Sequence, residues 1–500
     1  MEPFNDYDDY DAVGLASLVA AGEVHALELI EAAIQRVRRA NPAVNAVIWD
    51  RSHEARSEAA AADQAGPFAG VPILMKDLVV EEGIPVTFGS VFFRDYVGDT
   101  TSEFSRRIHR SGFITIGRTN TPEFGLLPTT EPTLHGPTRN PWDLSRSSGG
   151  SSGGAAAAVA AGIVPLAQAS DGGGSIRIPA SATGLFGLKP SRGRSPRRPG
   201  GPVDFLSCEH AVTRSVRDSA AFLDAIYGSV PGDRYWAPEP AAPFADAAER
   251  DPGHLRIGFS VRDFRGDRVH PECEAAVLGT AALLESLGHD VVEASPSVDG
   301  TMMASAFIEV WAALAANAFS TVIDAASERI SAVRRLRSAA GDRMTMRLIA
   351  RLDQRDSGLP AFEPFTTQLA DRSSRRSQAN LLTAEATLQA IAHQTGAFLA
   401  EHDLFLTPVV GSPPVSLGWF DQSLPWEELI ERVYRYVAFT PLGNFAGLPA
   451  MSVPLHWTPD GLPVGSHFLG RFGDEETLLS VAGQLERAQP WADRRPSGYC

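Results

Sequence analysis

Cysteine is scarce in this chain of 500 residues: Cys208, Cys273 and Cys500 are the only three, far apart and without C-x-x-C pairing. A disulfide framework or a cysteine-rich zinc site is therefore not expected, and isolated thiols suit a reducing compartment. Long apolar runs are also missing, since the longest run of small apolar residues, 155–167, is too short to cross a bilayer. The acidic first residues lack the apolar core of a secretory signal. We predict a cytoplasmic protein.

Positive charge is in short supply as well. The 44 Lys and Arg residues stand against 60 Asp and Glu residues, which gives a net charge of −16. Nucleic acids and anionic membranes attract basic surfaces, so neither is an expected partner. A local basic stretch, 191–200, is interpreted as a solvated loop. Lysine is almost absent, because only Lys76 and Lys189 accompany 42 arginines.

The order of helix and strand patterns predicts an α/β fold. Residues 27–40 have the apolar spacing of a helix that ends at Asn41-Pro42, and 113–120 have the pattern of a strand. The same alternation resumes after Gly200. It predicts a sheet that is covered by helices on both faces.

One later stretch interrupts this alternation. Residues 301–401 are mostly helical in pattern and poor in glycine, and strand patterns return after them. We therefore expect a single domain over residues 1–500, in which 301–401 form a helical cap or insertion.

Two runs rich in glycine and serine, 145–162 and 168–181, are the most unusual feature of the chain. A flexible linker is one interpretation, but the runs lead directly into an alanine-rich helical pattern and into "IRIP". The pattern Gly149-x-Ser151-x-Gly153 matches the nucleophile elbow of α/β-hydrolases. That elbow needs a strand before the serine, whereas the residues here, "NPWDLSRSS", are polar and turn-forming. No phosphate-binding glycine motif is present.

A third interpretation joins these runs to the lysine in "GVPILMKDLVV" (70–80). Three glycines before Ser175 leave backbone N–H groups able to point at one oxygen, as an oxyanion hole requires. Ser175 could then attack a carbonyl, provided that a base takes its proton. Lys76 can be that base if burial lowers its pKa, whereas arginine keeps its proton. At this point Lys76 could equally be a buried structural cation paired with Asp77.

Five motifs make the chain resemble the amidase signature family, and the resemblance is strongest over 68–194. The motifs occur in the family's order and spacing: "GPFAGVPILMKDL", "GRTNTPEFG", "TRNPWDLSRSSGGSSGG", "SDGGGSIRIPAS" and "GLFGLKPSRGR". Weaker agreement extends to the tail stretch "PLGNFAGLPAMSVPL". The resemblance implies the amidase signature fold, a large mixed β-sheet core, with residues 68–194 as its catalytic core.

The resemblance also implies a role for individual residues. Ser175 matches the nucleophile, Ser151 the bridging serine of a cis peptide, and Lys76 the base. The resemblance implies that four residues support the triad: Ser152, Ser170, Asp171 and Arg177. It implies that the oxyanion donors are the backbone N–H groups of Gly172, Gly173, Gly174 and Ser175. It also implies that the acyl pocket is lined by Gly125, Leu126, Leu127 and Thr130.

The chain departs from the family pattern at three positions: Ser170, Gly172 and His467. Ser170 stands where such families usually have threonine, and Gly172 stands where they usually have threonine or isoleucine. Because Gly172 has no side chain, we expect a softer loop there. His467 stands where glutamine is common, and we interpret it as a core or pocket-wall residue.

The expected function is serine-dependent hydrolysis of the C–N bond in small or medium hydrophobic amides, anilides or carbamates. Details such as "GPFAGVP" and "TTEP" most resemble the branch that acts on nylon oligomers, such as the cyclic 6-aminohexanoate dimer, with aryl acylamidases and urethanases as relatives. The resemblance implies no metal or organic cofactor, and homodimers are frequent in the family. Two alternatives remain: a glutamine-dependent tRNA amidotransferase A-type subunit, and a catalytically silent module that binds anions.

Overall fold

A computed structural model describes residues 4–61, 65–196, 204–329 and 358–499. Its centre is an eleven-stranded sheet with the order β1-β3-β2-β6-β8-β7-β12-β13-β11-β9-β10. A separate hairpin of two strands, β4 and β5, lies outside this sheet. The strands of the chain are β1 Val47–Asp50, β2 Pro72–Lys76, β3 Ile114–Thr119, β4 Arg139–Asn140, β5 Asp143–Ser147, β6 Leu166–Asp171, β7 Phe186–Lys189, β8 Cys208–Thr213, β9 Arg256–Phe259, β10 Asp290–Glu293, β11 Leu404–Pro408, β12 Ala450–Trp457 and β13 Pro463–Leu469.

The sheet mixes strand directions. β2 pairs in parallel with both β3 and β6, and β9 pairs in parallel with both β10 and β11. The remaining neighbours, from β6 through β8, β7, β12 and β13 to β11, are antiparallel, as is β1 with β3. The predicted α/β class with a large mixed sheet is confirmed. Because β2 and β6 are adjacent and parallel, the residues that follow both strands meet at one edge of the sheet.

Helices pack against the sheet and connect its strands. They are α1 Ala12–Ala20, α2 Ala26–Val44, α3 Ser52–Ala60, α4 Glu103–Arg110, α5 Gly153–Ala160, α6 Arg177–Thr183, α7 Val216–Ile226, α8 Phe244–Glu249, α9 Pro271–Ser286, α10 Gly300–Arg329, α11 Pro364–Ser374, α12 Gln378–Glu401, α13 Trp426–Tyr436, α14 Pro441–Phe445 and α15 Glu475–Ala488. Short 3₁₀ turns occupy Asn5–Asp9, Val91–Phe93, Glu123–Gly125 and Asp204–Leu206.

The end of α2 corrects the sequence interpretation. The helix was expected to end at Asn41-Pro42, but it continues through Pro42 to Val44, whose side chain is fully buried. The Asn41 side chain accepts hydrogen bonds from the N–H groups of Ala46 and Val47, at 2.8 Å each. Burial of Val44 and these bonds to the start of β1 hold the last turn, although proline contributes no N–H to it.

The residues before the first glycine run also differ from expectation. "NPWDLSRSS" was interpreted as turn-forming, yet residues 143–147 form β5, which pairs with β4 as an antiparallel hairpin. Ser147 then donates its N–H to the carbonyl of Val415, at 2.8 Å. The hairpin delivers the chain from the surface to the buried run that follows.

The stretch predicted as a helical cap contains α10, α11 and α12, while residues 330–357 within it lie outside the described residues, as do 197–200 of the basic stretch. A second hydrophobic cluster joins α10, α11 and α12 to α13 and α14. The division into one domain with a cap stays a prediction. No helix in the described ranges is both long and apolar enough to cross a membrane.

Candidate active site

Lys76 ends β2 and reaches into a group of serine hydroxyls. Its Nζ atom lies 2.7 Å from Ser151 Oγ, 2.8 Å from Ser152 Oγ and 3.1 Å from Ser170 Oγ. Ser170 belongs to β6, the parallel neighbour of β2, whereas the paired serines come from the turn before α5. The strand ends and the glycine run therefore bring together four residues that are separated by up to 94 positions in the chain.

The lysine has the surroundings of a neutral amine. Lys76 is fully buried, and burial lowers its pKa from 10.5 to about 7, against the opposing effect of the acids Glu209 and Asp171. The three side chains bonded to its Nζ atom are uncharged hydroxyls.

Asp77, the possible ion-pair partner of Lys76, is bonded elsewhere. Its carboxylate accepts hydrogen bonds from the backbone N–H and the hydroxyl of Thr87, and a longer one from the N–H of Gly89. Burial raises the pKa of Asp77. The interpretation of Lys76 as a cation paired with Asp77 is therefore wrong.

The peptide bond between Gly150 and Ser151 is cis, as the resemblance implied for this position. Space around the turn is tight, because a Cβ atom placed on Gly150 would lie 2.5 Å from the backbone nitrogen of Thr129. Thr130 holds the same turn from behind. Its hydroxyl donates to the carbonyl of Gly149, at 3.0 Å, and accepts from the N–H of Gly153, at 3.2 Å.

Thr130 is thus a correction to the predicted pocket. It was expected to line the acyl pocket with Gly125, Leu126 and Leu127. Its side chain is instead fully buried, and both of its hydrogen bonds go to the backbone of the serine turn. A hydroxyl suits this position because it can donate to a carbonyl and accept from an N–H at the same time.

Ser175 lies in the loop that follows β6, is 8% exposed and lines a cleft. The N–H of Ser152 donates to the carbonyl of Ser175 at 3.3 Å, which ties the two glycine runs together. No hydrogen bond joins the Oγ atoms of Ser151 and Ser175, two residues that the structure describes. The structure thus brings the lysine together with three serines and leaves Ser175 beside them. Such contacts are often long in unliganded enzymes.

A buried ion pair braces the loop of Ser175. Arg177 binds the carboxylate of Asp171 through Nε and Nη2, each at 2.9 Å, with both side chains fully buried. Burial alone would raise the pKa of Asp171, but the charge and hydrogen bonds of Arg177, with a bond from Asn444, hold it well below its usual range.

The same carboxylate changes the set of predicted oxyanion donors. The N–H of Gly174 donates to Asp171 Oδ1 at 2.7 Å, so the structure removes Gly174 from the free donors. The predicted oxyanion donors that remain are the N–H groups of Gly172, Gly173 and Ser175. Oxyanion donors must be free of other acceptors and held in place before the reaction.

Sequence reasoning missed two residues that hold this loop. Asn444 donates to the carbonyl and to Oδ1 of Asp171, at 2.9 and 2.8 Å, and accepts from Arg177 Nη2 at 2.6 Å. Thr440 donates its hydroxyl to the carbonyl of Gly173 at 2.7 Å. Thr440 directly precedes the tail stretch "PLGNFAGLPAMSVPL" and Asn444 lies within it; the stretch was noted for its resemblance without a role for any residue. That stretch was the available signal.

His467 lies behind the loop, on β13, and is 2% exposed. Its Nε2 atom lies 2.9 Å from Arg177 Nη1, and its Nδ1 atom lies 3.0 Å from Thr407 Oγ1. Arginine can only donate, so Nε2 accepts and the ring is neutral. Burial and then the charge of Arg177 hold the pKa of His467 well below its usual value. Its place is in the core, behind the cleft.

The cleft contains about 850 Å³ of empty space, part of it open to solvent. The predicted pocket residues Gly125, Leu126 and Leu127 line it together with Ser175. A Cβ atom placed on Gly125 would lie 3.1 Å from Ser151 Oγ, so this wall lies directly against the serine turn. The other walls are mostly apolar and come from α10, α13 and the residues around them: Met303, Phe307, Trp311, Phe365, Val433 and Val437.

The charged side chains of this lining are paired. Arg265 donates to both carboxylate oxygens of Glu431, at 3.0 and 3.2 Å, and lies 3.8 Å from Asp263. Asp263 in turn accepts hydrogen bonds from the backbone N–H groups of Arg265 and Asp267. The phenol of Tyr434 donates to the carbonyl of Ala304 at 3.1 Å. The cleft therefore presents a mostly apolar surface, on which the phenol of Tyr434 is engaged and the hydroxyl of Ser175 lies beside the serine turn.

Within the described ranges, no group of three or more His, Cys, Asp or Glu side chains is arranged to hold a metal ion. The expectation of a reaction without a metal or organic cofactor stays a prediction.

Comparison with known proteins finds similarity along nearly the whole chain. A family model described as Amidase matches residues 28–479. A 6-aminohexanoate-cyclic-dimer hydrolase from a Pseudomonas species is 38% identical over 500 residues, which cover 97% of this chain and 96% of that protein.

Two solved structures are similar to this chain over nearly its whole length. The structure of a 6-aminohexanoate cyclic dimer hydrolase has a TM-score of 0.84 at 34% identity, covering 99% of both chains. A bacterial aryl acylamidase of the amidase signature family has a TM-score of 0.81 at 28% identity, covering 97% of both chains.

Proposed function

The chain belongs to the amidase family and is a hydrolase of carbon–nitrogen bonds, and from this premise we propose that it cleaves uncharged, hydrophobic amides through an acyl-enzyme on Ser175. The resemblance that the motifs indicated is thereby confirmed at the level of the family. The serine mechanism and the substrate class are the proposal.

One observation carries the proposal: the Nζ atom of Lys76 is buried among three serine hydroxyls. A lysine whose pKa is lowered to about 7 is largely free of its proton in weakly basic solution, and a neutral amine can accept one. Ser151 connects this base to the cleft, because its hydroxyl bonds Lys76 and lies against Gly125 of the cleft wall. A hydroxyl can accept one proton while it gives up another, as a relay requires.

In the proposed reaction, Ser175 Oγ attacks the amide carbonyl and forms the C–O bond. Its proton passes to Ser151, whose own proton passes to Lys76. When the C–N bond breaks, the proton returns by the same route to the departing amine. Water then gives a proton to the relay and attacks the ester of Ser175. When the C–O bond to Ser175 breaks, the relay returns that proton to Ser175 Oγ and the acid leaves. The overall change is the addition of one water across the C–N bond.

The negative charge that develops on the carbonyl oxygen needs donors close to Ser175. The N–H groups of Gly172, Gly173 and Ser175 are the proposed donors. Asp171 and Arg177 would hold the loop that carries them, because their buried pair also binds the N–H groups of Gly174 and Ile176. Each well-placed donor is worth about 100- to 1000-fold in rate.

The lining of the cleft supports the proposed substrate class. Gly125, Leu126 and Leu127, with the aromatic residues of α10, favour an apolar acyl group. The charges of Arg265 and Asp263 are already paired, so a charged substrate would lose its hydration without gaining a free partner. A neutral cyclic amide, an anilide or a carbamate fits this surface. Similarity to 6-aminohexanoate-cyclic-dimer hydrolase favours the nylon-type cyclic oligomers among them.

The alternative of a tRNA amidotransferase subunit is less well supported. Its substrate glutamine carries an ammonium and a carboxylate, for which this cleft offers only Arg265 and Asp263, both engaged. The net charge of −16 also disfavours a complex with tRNA. The second alternative, a silent anion-binding module, conflicts with membership of a hydrolase family.

The test is a substrate panel together with labelling of the nucleophile. We expect hydrolysis of cyclic 6-aminohexanoate dimer, of p-nitroacetanilide and of an aryl carbamate, and little hydrolysis of glutamine or of the charged linear dimer. A fluorophosphonate should add its mass to the peptide that contains Ser175. Ser175→Ala should abolish both labelling and hydrolysis, with Ser181→Ala as the matched control. Full hydrolysis by Ser175→Ala would overturn the mechanism, and preference for glutamine would overturn the substrate class.

A cytoplasmic location, a homodimeric state and the absence of nucleic-acid or membrane partners stay proposals from the sequence. Size-exclusion chromatography with light scattering would test the dimer directly.

A further inference from the structure

The space beside Gly172 is filled by a side chain from a distant helix. A Cβ atom placed on Gly172 would lie 3.4 Å from Cη2 and 3.5 Å from Cζ3 of Trp311, and 3.0 Å from Ser207 Oγ. Trp311 belongs to α10, more than one hundred residues further along the chain, and is 9% exposed. The loop was expected to be soft because residue 172 has no side chain. The indole ring lies in contact with the place that the first carbon of such a side chain would take, and Ser207 Oγ is closer still.

Trp311 is also tied to the opposite wall of the cleft. Its indole N–H donates to the carbonyl of Leu126 at 3.1 Å. Leu126 follows Gly125, the residue that lies against the hydroxyl of Ser151. A single side chain therefore connects the loop of the proposed oxyanion donors to the wall beside the bridging serine.

A second aromatic ring supports the first. Phe307 lies one turn earlier on α10, on the same face of the helix, and its ring stacks on Trp311 with centroids 5.4 Å apart and planes inclined by 23°. A Cβ atom on Gly173 would lie 3.3 Å from Phe307 Cζ. The hydroxyl of Thr440 binds the carbonyl of the same glycine. The loop is thus held by aromatic rings at Gly172 and Gly173 and by a hydrogen bond from Thr440.

We propose that Trp311 is a positioning residue for the oxyanion donors, acting through its ring on Gly172 and through its N–H on Leu126. The inference rests on the proposed function, because it assumes that the loop of Ser175 stabilises an oxyanion. It adds a role for α10 beyond that of a cleft wall. A side chain at residue 172 and the indole of Trp311 are alternative ways to fill one space, so each should compensate for the loss of the other.

This exchange can be tested with a double-mutant cycle on p-nitroacetanilide, whose small acetyl group needs little of the cleft. Trp311→Leu empties the space and should lower kcat about 10- to 100-fold, with KM changed less than about 3-fold, since small misplacements of catalytic groups have effects of this size. Gly172→Ile should also lower kcat, because the side chain meets the indole. The φ angle of Gly172 lies outside the left-handed region, so the backbone accepts a side chain there once Ser207 gives way at its 3.0 Å contact. The combination Gly172→Ile with Trp311→Leu should restore kcat above that of either single variant.

A transition-state analogue separates positioning from general damage. A trifluoromethyl ketone that adds to Ser175 forms an oxyanion, so its affinity should fall in parallel with kcat across the three variants. Trp426→Leu is the matched control: Trp426 packs on Phe365 away from the glycine loop and should keep kcat within about 3-fold. Trp311→Phe, which keeps a ring but loses the N–H, should lower kcat about 5-fold or more. It carries the test if Trp311→Leu does not fold.

The proposal is overturned if Trp311→Leu, or Trp311→Phe in its place, keeps the wild-type kcat. It is equally overturned if the loss appears in KM alone, or if kcat of the double variant is no higher than that of the better single variant. Failure of the proposed function looks different, because Ser175→Ala would then remain active whatever the Trp311 variants do.

Discussion

The two lysines of the chain occupy the same sheet and are both fully buried, yet their surroundings differ. Lys76 ends β2 and its Nζ atom is bonded to three hydroxyls. Lys189 ends β7, and its Nζ atom donates to the carbonyl of Pro190 at 2.7 Å and lies 3.7 Å from Cys208 Sγ. Burial lowers the pKa of both amines.

The difference teaches that a lowered pKa does not by itself identify a base. A carbonyl oxygen can only accept a hydrogen bond, and the thiol of Cys208 in turn donates to the carbonyl of Ser191, so a proton on Lys189 has no onward route through either partner. A serine hydroxyl accepts and donates, so Lys76 is connected to a chain of exchangeable protons. The rarity of lysine pointed to both residues alike. Only the hydrogen-bond partners of the two amines distinguish them.

Replacement of Lys76 by methionine should have the largest effect. Lys76→Met keeps the length of the side chain and removes the base, and kcat/KM for p-nitroacetanilide should fall about 10⁴-fold, as for other members of catalytic triads. Lys76→Arg should be equally inactive, because a guanidinium keeps its proton. Circular dichroism and thermal unfolding would confirm folded variants. Activity of Lys76→Arg near that of the wild type would contradict the role as base.

The pH dependence should report the titration of Lys76. Because the neutral amine is the active form, kcat/KM should rise with pH about tenfold per unit below a midpoint near 7 and level off above it. The negative charge of Glu209 favours the ammonium form and raises the pKa of Lys76. Glu209→Gln should therefore move the acid limb to lower pH.

Glu293→Gln is the control, because Glu293 is exposed on β10, an edge strand of the sheet. It should leave the midpoint of the pH profile unchanged. An acid limb that stays unchanged in Glu209→Gln would assign the titration to another group.

Lys189 should matter for stability and little for the reaction. Lys189→Met should keep kcat/KM within about fivefold. Lys189→Arg forces a larger, permanently charged group into the same buried space and should lower the free energy of unfolding by about 2 to 4 kcal/mol. Urea titration measures this change. A loss of activity in Lys189→Met comparable to that in Lys76→Met would remove the distinction between the two lysines.

His467→Gln should have the smallest effect, within about twofold in kcat/KM. The side-chain carbonyl of glutamine can accept from Arg177 as Nε2 of the imidazole does, and its amide can donate to Thr407. His467→Lys would place a second cation beside Arg177 and should lower the melting temperature by several degrees. Strong inactivation by His467→Gln at an unchanged melting temperature would show that the imidazole takes part in the reaction.

Local sequence patterns predicted much of the fold and part of the site. Alternating helix and strand signals predicted the α/β class, and the motifs predicted that Lys76 and Ser151 would meet, whereas no hydrogen bond joins Ser151 Oγ to Ser175 Oγ. The errors in the site came where a polar group had two possible partners. Gly174 was expected to donate to an oxyanion, but the nearby carboxylate of Asp171 takes its N–H. Thr130 was expected in the pocket, but its hydroxyl matches the backbone of the serine turn.

Contacts between segments that are distant in the chain could not be predicted from the sequence. Trp311 lies on a helix whose apolar residues could all have been core, and nothing in its spacing indicates that it fills the place beside Gly172. Asn444 was visible only as part of a family-like stretch. Its three bonds around Asp171 depend on how the end of the chain returns to the centre of the sheet. Such partners are set by tertiary packing rather than by local preference.

The bonds from Arg177 to Asn444 and to His467 span 267 and 290 residues, which has a consequence for the nascent protein. At about 5 to 20 residues per second, roughly 15 to 60 s of translation separate the emergence of Ser175 from that of Asn444 and His467. A ribosome-bound chain that already contains Lys76 and the serines around it still lacks these two partners of Arg177. We therefore expect the nascent chain to stay inactive until β13 has been made.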